Sequence, residues 1–330
     1  MLILLTGGTG YIGSHICLAL LEAGHNVVIV DNLSNSTYDV VDKIELISHK
    51  KVKFYEVDVS NELALEELFI IHHFDALIHL AAYKAVAESV EKPLEYYHNN
   101  LLGTIVLAKL CLKYKVYKFI YSSSATVYGV NTVPYKESMP YGNTSNPYGS
   151  TKAMCERILI DTANVNPLFK LSILRYFNPI GAHSSGLIGD KPSGTPNNLM
   201  PYITQVALGK RAKLYVYGND YPTSDGSGVR DYIHVLDLAE GHLKALENIR
   251  VPYQIYNLGT GFGTSVLSLI TTFEKVNSVK IPYEIAPRRS GDIAECYSDP
   301  TKALSELKWK CRYTIEDMCR DAYRFELNSK

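Results

Sequence analysis

The sequence predicts an α/β protein in which a doubly wound parallel sheet is followed by a smaller, mixed α/β C-terminal domain. Three observations carry that prediction. Through the first half, short β-branched runs alternate with amphipathic helical stretches, the pattern of βαβ crossovers. Glycines cluster where the first run meets the first helical stretch, and the second run ends on a carboxylate, Asp31. With 330 residues the chain is long enough for two domains, expected over 1–178 and 179–330, and it can bury a large core without disulfide staples.

The first strand is expected over 2–6, followed by a helix over 11–23 that Gly24 stops, because glycine accepts the left-handed conformation that ends helices. Further strands are expected at 26–30, 52–55, 76–80, 118–122 and 171–176, with a long helix over 94–114. After Asn178 the texture changes: 181–201 and 218–228 are dense in Gly, Pro, Ser and Asn, loops long enough to be functional. A strand-and-glycine pattern returns over 251–263, so the chain is expected to revisit the first domain around 229–263.

Composition excludes several functions. With 33 Lys+Arg against 34 Asp+Glu the net charge is -1, and no global basic field exists to hold nucleic acid or an acidic membrane surface. Hydrophobic content is 46%, yet no apolar run approaches the ~18 residues of a membrane span. Met1 to Leu5 is apolar but lacks a basic region and a cleavage site and runs straight into Gly7 and Gly8, so a strand is expected there rather than a leader. The six cysteines are scattered with no C-x-x-C pair, which fits a reduced cytoplasmic setting. The ten histidines show no ligand spacing, and His72-His73 precedes a strand, so no metal is expected.

The segment from Thr6 to Gly13, T-G-G-T-G-Y-I-G, places Gly7, Gly10 and Gly13 between a strand and a helix. Such glycines allow a sharp turn, bring backbone N–H groups up to a pyrophosphate, and let helix and strand pack closely, as in a Rossmann-like fold. Asp31 ends the second strand, where a carboxylate accepts both ribose hydroxyls. It would also repel a 2′-phosphate, and Asn32-Leu-Ser-Asn35 offers no arginine to welcome one, so NAD is favoured over NADP. Asp58, after the third strand, is a candidate for the adenine edge or a turn carboxylate facing solvent.

Tyr148 and Lys152 stand at i, i+4 in P-Y-G-S-T-K, with Pro147 suited to the first turn of a helix. That spacing puts phenol and ammonium on one face. A free phenol titrates near ~10 and is a poor base at neutral pH; an adjacent ammonium and a cationic nicotinamide would favour the phenolate. Upstream, S-S-S-A-T-V-Y-G follows the fifth strand, and any of Ser122, Ser123 or Ser124 could hydrogen-bond a reacting oxygen.

Together these motifs resemble the extended short-chain dehydrogenase/reductase family. More narrowly, H-L-A-A-Y-K-A-V-A-E-S (79–89), K-P-L-E-Y-Y-H-N-N (92–100), L-R-Y-F-N-P (174–179), N-N-L-M-P-Y (197–202) and G-V-R-D-Y-I-H-V (228–235) resemble its UDP-glucose 4-epimerases, over essentially the whole chain. The resemblance implies Ser124 as the hydrogen-bonding hydroxyl, Tyr148 as acid/base and Lys152 as its activator. It places Tyr11, Ile12, Asp31, Asn32, Asn35, Asp58, Val59, Leu80, Ala81, Ala82, Lys84, Asn99 and Phe177 at NAD, beside the three glycines and the catalytic trio. It places Lys84, Asn178, Asn198, Leu199, Tyr215, Tyr217, Arg230, Arg289, Asp292 and Cys296 with Ser124 and Tyr148 at a UDP-sugar. Arginine suits the diphosphate, being always charged and multidentate.

The implied reaction is reversible oxidation at C4 through a 4-keto sugar, with transient NADH, in a homodimer built on helices including 94–114. A nucleotide-sugar 4,6-dehydratase would need an acid near the serine, where Ala125-Thr126 stands instead. A catalytically inactive NAD-binding regulator would not need Ser124, Tyr148 and Lys152 together. Cys296 departs from the family pattern, which has tyrosine at that position in epimerases confined to UDP-glucose and UDP-galactose; a thiol there implies room for a 2-acetamido group and activity on UDP-N-acetylglucosamine and UDP-N-acetylgalactosamine. Alternatively Cys296 is a small buried hydrophobe whose neighbour Tyr297 fills the gap.

Overall fold

The computed structural model describes residues 1–192, 194–289 and 291–329. Its centre is a seven-stranded parallel sheet. Six strands come from the first half: β1 (Leu2–Thr6), β2 (Asn26–Asp31), β3 (Lys53–Glu56), β4 (Ala76–His79), β5 (Lys118–Ser124) and β6 (Lys170–Tyr176). The order across the sheet is β3-β2-β1-β4-β5-β6, so the winding reverses between β1 and β4, the switch point where open α/β sheets bind ligands. Helices α1 (Tyr11–Glu22), α2 (Asp39–Ser48), α3 (Glu62–Ile71), α4 (Val86–Glu91), α5 (Pro93–Lys113) and α6 (Pro147–Val165) make the crossovers.

These strands are apolar on both sides because both faces of the sheet are covered. Ile3, Leu5, Val27 and Ile29 join Ile16, Leu20 and Leu21 of α1 in one core cluster. Leu4, Val28 and Val30 point the other way, into a second cluster with Leu65, Leu107 and Leu159 of α3, α5 and α6. Gly24, at φ +82, ends α1 as the sequence suggests. Expected bounds differ from observed ones by one or two residues. The largest difference is at β5, which continues through Ser124 because Ser122 to Ser124 pair in register with Leu174 to Tyr176. Backbone pairing there overrides the weak strand preference of serine.

The remaining strands are β7 (Asn178–Ile180), β8 (Leu214–Tyr217), β9 (Val229–Arg230), β10 (Tyr232–His234), β11 (Tyr253–Leu258), β12 (Thr264–Ser265), β13 (Tyr283–Ala286) and β14 (Glu295–Cys296). The helices are α7 (Leu199–Ala207), α8 (Val235–Glu247), α9 (Val266–Asn277), α10 (Thr301–Leu307) and α11 (Ile315–Asn328). β11 pairs in parallel with β6 and is the seventh strand of the large sheet. Leu238, Ala239 and Leu246 of α8 share the core of α1. A third core, with Met200, Ile203, Val216, Phe273 and Met318, lies among α7, β8, α9 and α11.

Candidate active site

The glycine turn is shaped by what a side chain would strike. Gly7 has φ +73, and a Cβ there would meet the Ala81 nitrogen at 2.8 Å; one on Gly13 would meet the Gly7 carbonyl oxygen at 2.1 Å. Helix α1 starts from Gly10 with no side-chain cap and no acidic residue in its first turn. Its leading N–H groups, at Tyr11 and Ile12, therefore face a position suited to an anion. Asp31 is 8% exposed at the end of β2. Its carboxylate accepts from Thr9 N at 3.2 Å and Leu33 N at 3.0 Å, which aims it across the turn. Asp58 accepts from Asn32 Nδ2 at 2.7 Å and from Ser60 N at 2.8 Å. Burial raises the Asp58 carboxyl, but the bonds from Ser60 and Asn32 outweigh it and hold the group below the ordinary carboxylate range. These residues fit a dinucleotide: a bare helix terminus for pyrophosphate, and carboxylates for ribose and adenine.

The other expected cofactor residues spread around this cradle. Leu80 N donates to the Thr6 carbonyl at 3.1 Å and Ala81 N to Thr6 Oγ1 at 3.4 Å, so the 80–82 segment, Ala82 included, leaves β4 beside Gly7. Val59 is buried against Gly103, where a Cβ would come within 2.7 Å of it. Asn99 donates to Asn100 at 3.0 Å. Lys84 and Asn35 are exposed, and Phe177 is buried with Tyr128 and Tyr135. The Tyr11 hydroxyl donates to the Gly181 carbonyl at 2.7 Å, tying the first helix to the chain beyond β7.

Strand alternation separates the three serines. The side chain of Ser123 donates to Glu156 on the α6 side, away from any substrate. The Ser122 carbonyl accepts from Lys152 Nζ at 2.8 Å, and the nearby Tyr176 hydroxyl hydrogen-bonds His242. Ser124 is the serine whose hydroxyl influences the Tyr148 phenol, and its oxygen accepts from Thr126 N at 3.2 Å. Ser124 is thus the serine hydroxyl that bears on the phenol. Burial raises the Tyr148 phenol above its ordinary value, and the Ser124 hydroxyl draws it partly back.

The Lys152 ammonium donates to the Ser122 carbonyl at 2.8 Å and lies 6.0 Å from the Tyr148 ring centroid. Burial pushes Lys152 down to about 8.

On the opposite wall, Arg230 and Cys296 are register partners in β9 and β14. Arg230 Nη1 donates to the Val229 carbonyl at 2.8 Å. Tyr215 and Tyr217 project from the same face of β8. Arg289 stacks 4.7 Å from the Tyr217 ring and bonds Asp292 at 2.8 Å. Such an exposed pair is weak, so a diphosphate can compete for the guanidinium. Asn178 opens β7, and Asn198, at the N-cap of α7 before Leu199, donates to Asp190 at 3.2 Å. Cys296 packs against Ala125, Val127, Tyr128, Tyr135 and Phe177. Burial pushes its thiol up to about 12, so it is space rather than nucleophile. The Tyr297 ring lies beside Gly263, where a Cβ would come within 3.1 Å of it. Among the described residues no three His, Cys, Asp or Glu side chains converge as a metal site.

Residues 3–259 match the NAD dependent epimerase/dehydratase family. The chain belongs to that family. It is 53% identical over 329 residues to UDP-glucose 4-epimerase of Bacillus subtilis (strain 168), covering 99% of this chain and 97% of that one. Its fold matches UDP-glucose 4-epimerase from Bifidobacterium longum in complex with NAD+ and UDP, with a TM-score of 0.97 and 48% identity over 100% and 99% of the two chains. The UDP-Glc/GlcNAc 4-epimerase of Campylobacter jejuni matches with a TM-score of 0.86 and 37% identity over 99% of each chain.

Within this epimerase/dehydratase frame, two supporting residues were not singled out from the sequence. Asn100 accepts from Tyr83 N at 2.8 Å and donates to Thr151 at 2.9 Å, joining the 80–84 segment to α5 and α6. Asp231, wholly buried, accepts from Thr260 N at 2.8 Å, Gly261 N at 3.1 Å and Ser298 N at 3.1 Å, locking the segment after Cys296 to β11. Their signal was adjacency: Asn100 follows Asn99, and Asp231 follows Arg230.

Proposed function

We propose that the protein is a UDP-hexose 4-epimerase that interconverts UDP-glucose and UDP-galactose, and also their N-acetylated counterparts. The observation that carries the first part is the meeting of Ser124 and Tyr148, with Lys152 behind them, at the carboxyl end of β5 beside the glycine cradle. NAD, when bound, supplies a reversible hydride acceptor for C4. Tyr148 takes the proton of the C4 hydroxyl and returns it. Ser124 orients that oxygen, and Lys152 adds positive charge that favours the phenolate. Arg230 and Arg289 grip the diphosphate while Asn178, Asn198, Tyr215 and Tyr217 line the remainder. Firm contacts at the nucleotide and looser ones at the hexose let the sugar turn between two faces.

Absence of a carboxylate at Ala125-Thr126 disfavours a dehydratase, because expelling water across C5 and C6 needs an additional acid. The N-acetyl activity is supported by Cys296, a small side chain packed against the cluster of Tyr128, Tyr135 and Phe177. We take the NAD-binding part as 1–178 and the UDP-sugar part as 179–330, with β11 and α8 returning to the first. A homodimer fits the apolar surface of α4 and α5, where Val90 is 61% and Leu94 81% exposed. No described helix is long and apolar enough to cross a membrane, and the six cysteines are free, which supports a cytoplasmic setting. The test is to incubate purified protein separately with UDP-galactose and UDP-N-acetylgalactosamine and identify each product. UDP-glucose and UDP-N-acetylglucosamine are expected; a deoxy-keto sugar would point to a dehydratase instead.

A further inference from the structure

Tyr148, Lys152 and Glu156 follow one another at four-residue intervals along α6, and so share the face turned to the sheet. Glu156 lies beyond the reacting groups, wholly buried, and nothing in the proposed chemistry uses it. Its carboxylate accepts a fork from Arg175, with Nε at 3.0 Å and Nη2 at 2.7 Å. It also accepts from the Tyr141 hydroxyl at 2.9 Å and from the Ser123 hydroxyl. Arg175 is the register partner of Ser123 on β6, and its guanidinium stacks 4.7 Å from Tyr128 and 5.3 Å from Tyr141. The pair is therefore the junction of four pieces of chain: α6, β5, β6 and the strap 125–146 that begins after Ser124 and ends before Tyr148. Tyr128 extends the junction, donating to Asn257 of β11 at 2.6 Å, and Asn257 donates in turn to the Tyr135 carbonyl at 2.8 Å.

We propose that Glu156 and Arg175 are positioning residues for the epimerase reaction, holding Ser124 and Tyr148 in a fixed relation by clamping β5, the strap and α6 to one another. The physical case rests on what a buried ion pair can and cannot do. Replacing such a pair by apolar groups of similar size is often neutral for stability, whereas its fixed, bidentate geometry specifies one arrangement of the elements it joins. A displacement of about 1 Å between groups that must share a proton costs up to about 100-fold in rate.

The inference rests on the 4-epimerase reading, and the test separates the two. Ser123→Ala and Tyr141→Phe each remove one hydroxyl from the junction and leave Ser124, Tyr148 and Lys152 intact. Each is expected to lower kcat on UDP-galactose by about 10-fold or more. KM should stay within about twofold, NAD content should be unchanged, and the acid limb of the kcat–pH profile should move upward as the Ser124 hydroxyl loses its hold on the phenol. The double variant Glu156→Leu/Arg175→Met supplies the structural control, expected to keep a near-parental Tm while kcat stays low. Parental kcat and pH profile in both single variants would overturn the proposal, as would a double variant that regains kcat along with stability. Should the double variant fail to fold, the single variants decide. A parent protein that does not convert UDP-galactose would strike the 4-epimerase reading itself, and this inference with it.

Discussion

At Tyr148 two opposing effects meet: burial, which disfavours a phenolate, and the nearby Ser124 hydroxyl, which favours one. Removing the hydroxyl removes the proton carrier without changing the volume of the site. Tyr148→Phe is expected to keep the fold and the bound cofactor but lose roughly two to four orders of magnitude in turnover, the scale of a positioned acid/base. A rate within a few-fold of the parent would place the base elsewhere. Cys296 poses a different question, one of space. A phenol ring there would occupy the volume beside Tyr135 and Phe177 that a 2-acetamido group needs as the sugar turns. Overfilling a packed site costs about 1–3 kcal/mol, or roughly 5- to 150-fold in rate. Cys296→Tyr should depress turnover of UDP-N-acetylgalactosamine at least about tenfold while largely sparing UDP-galactose, as steady-state kinetics on both will show; equal losses would refute the role. At this scale Tyr148, Lys152 and Asp31 were legible because helix spacing and strand ends have fixed geometry. The Glu156–Arg175 pair was not, because partners on a helix and a strand, 19 residues apart, obey no spacing rule.

The strand–turn–helix unit formed by β1, Gly7 to Gly13 and α1 is the element on which cofactor retention depends. A Cβ on Gly13 would lie 2.1 Å from the Gly7 carbonyl oxygen, closer than any side chain tolerates. Gly13→Ala must therefore push α1 away from the turn and displace the N–H groups of Tyr11 and Ile12. The purified parent is expected to carry NAD without any being added, and the Gly13→Ala protein to have lost most of it. Absorbance and enzymatic assay of the denatured supernatants measure both, and equal NAD contents would contradict the cradle. Elements of this kind were legible because each glycine has one steric reason to be there. The strands β9, β12 and β14 were not, being two residues long and held in place by partners distant in sequence.

Across the whole molecule, His15, His79 and His242, all buried, lower stability in acid. Burial lowers His15 and His79 to about 3 and His242 to about 4. His79 is held between the hydroxyls of Thr6 at 2.8 Å and Thr104 at 3.1 Å, and His242 bonds the Leu238 carbonyl at 2.8 Å. In the unfolded chain each titrates near ~6.5, so below that pH the unfolded state binds more protons than the folded one. Their contribution is complete above about pH 6.5 and is lost as pH falls towards the folded values. At pH 5 the loss is at most about 2 kcal/mol per histidine. Urea midpoints should accordingly fall from pH 7.5 to pH 5, and equal midpoints would show that these side chains are not buried neutral.

The central claim is that C4 of the sugar is oxidised and reduced within one site. If so, the C4 hydrogen leaves and returns as hydride and never mixes with solvent, while the proton on Tyr148 does. Conversion of UDP-galactose to UDP-glucose in deuterium oxide, followed by proton NMR at C4, tests this most directly. The account predicts product that retains protium at C4; deuterium at that carbon, or no UDP-glucose at all, would contradict it.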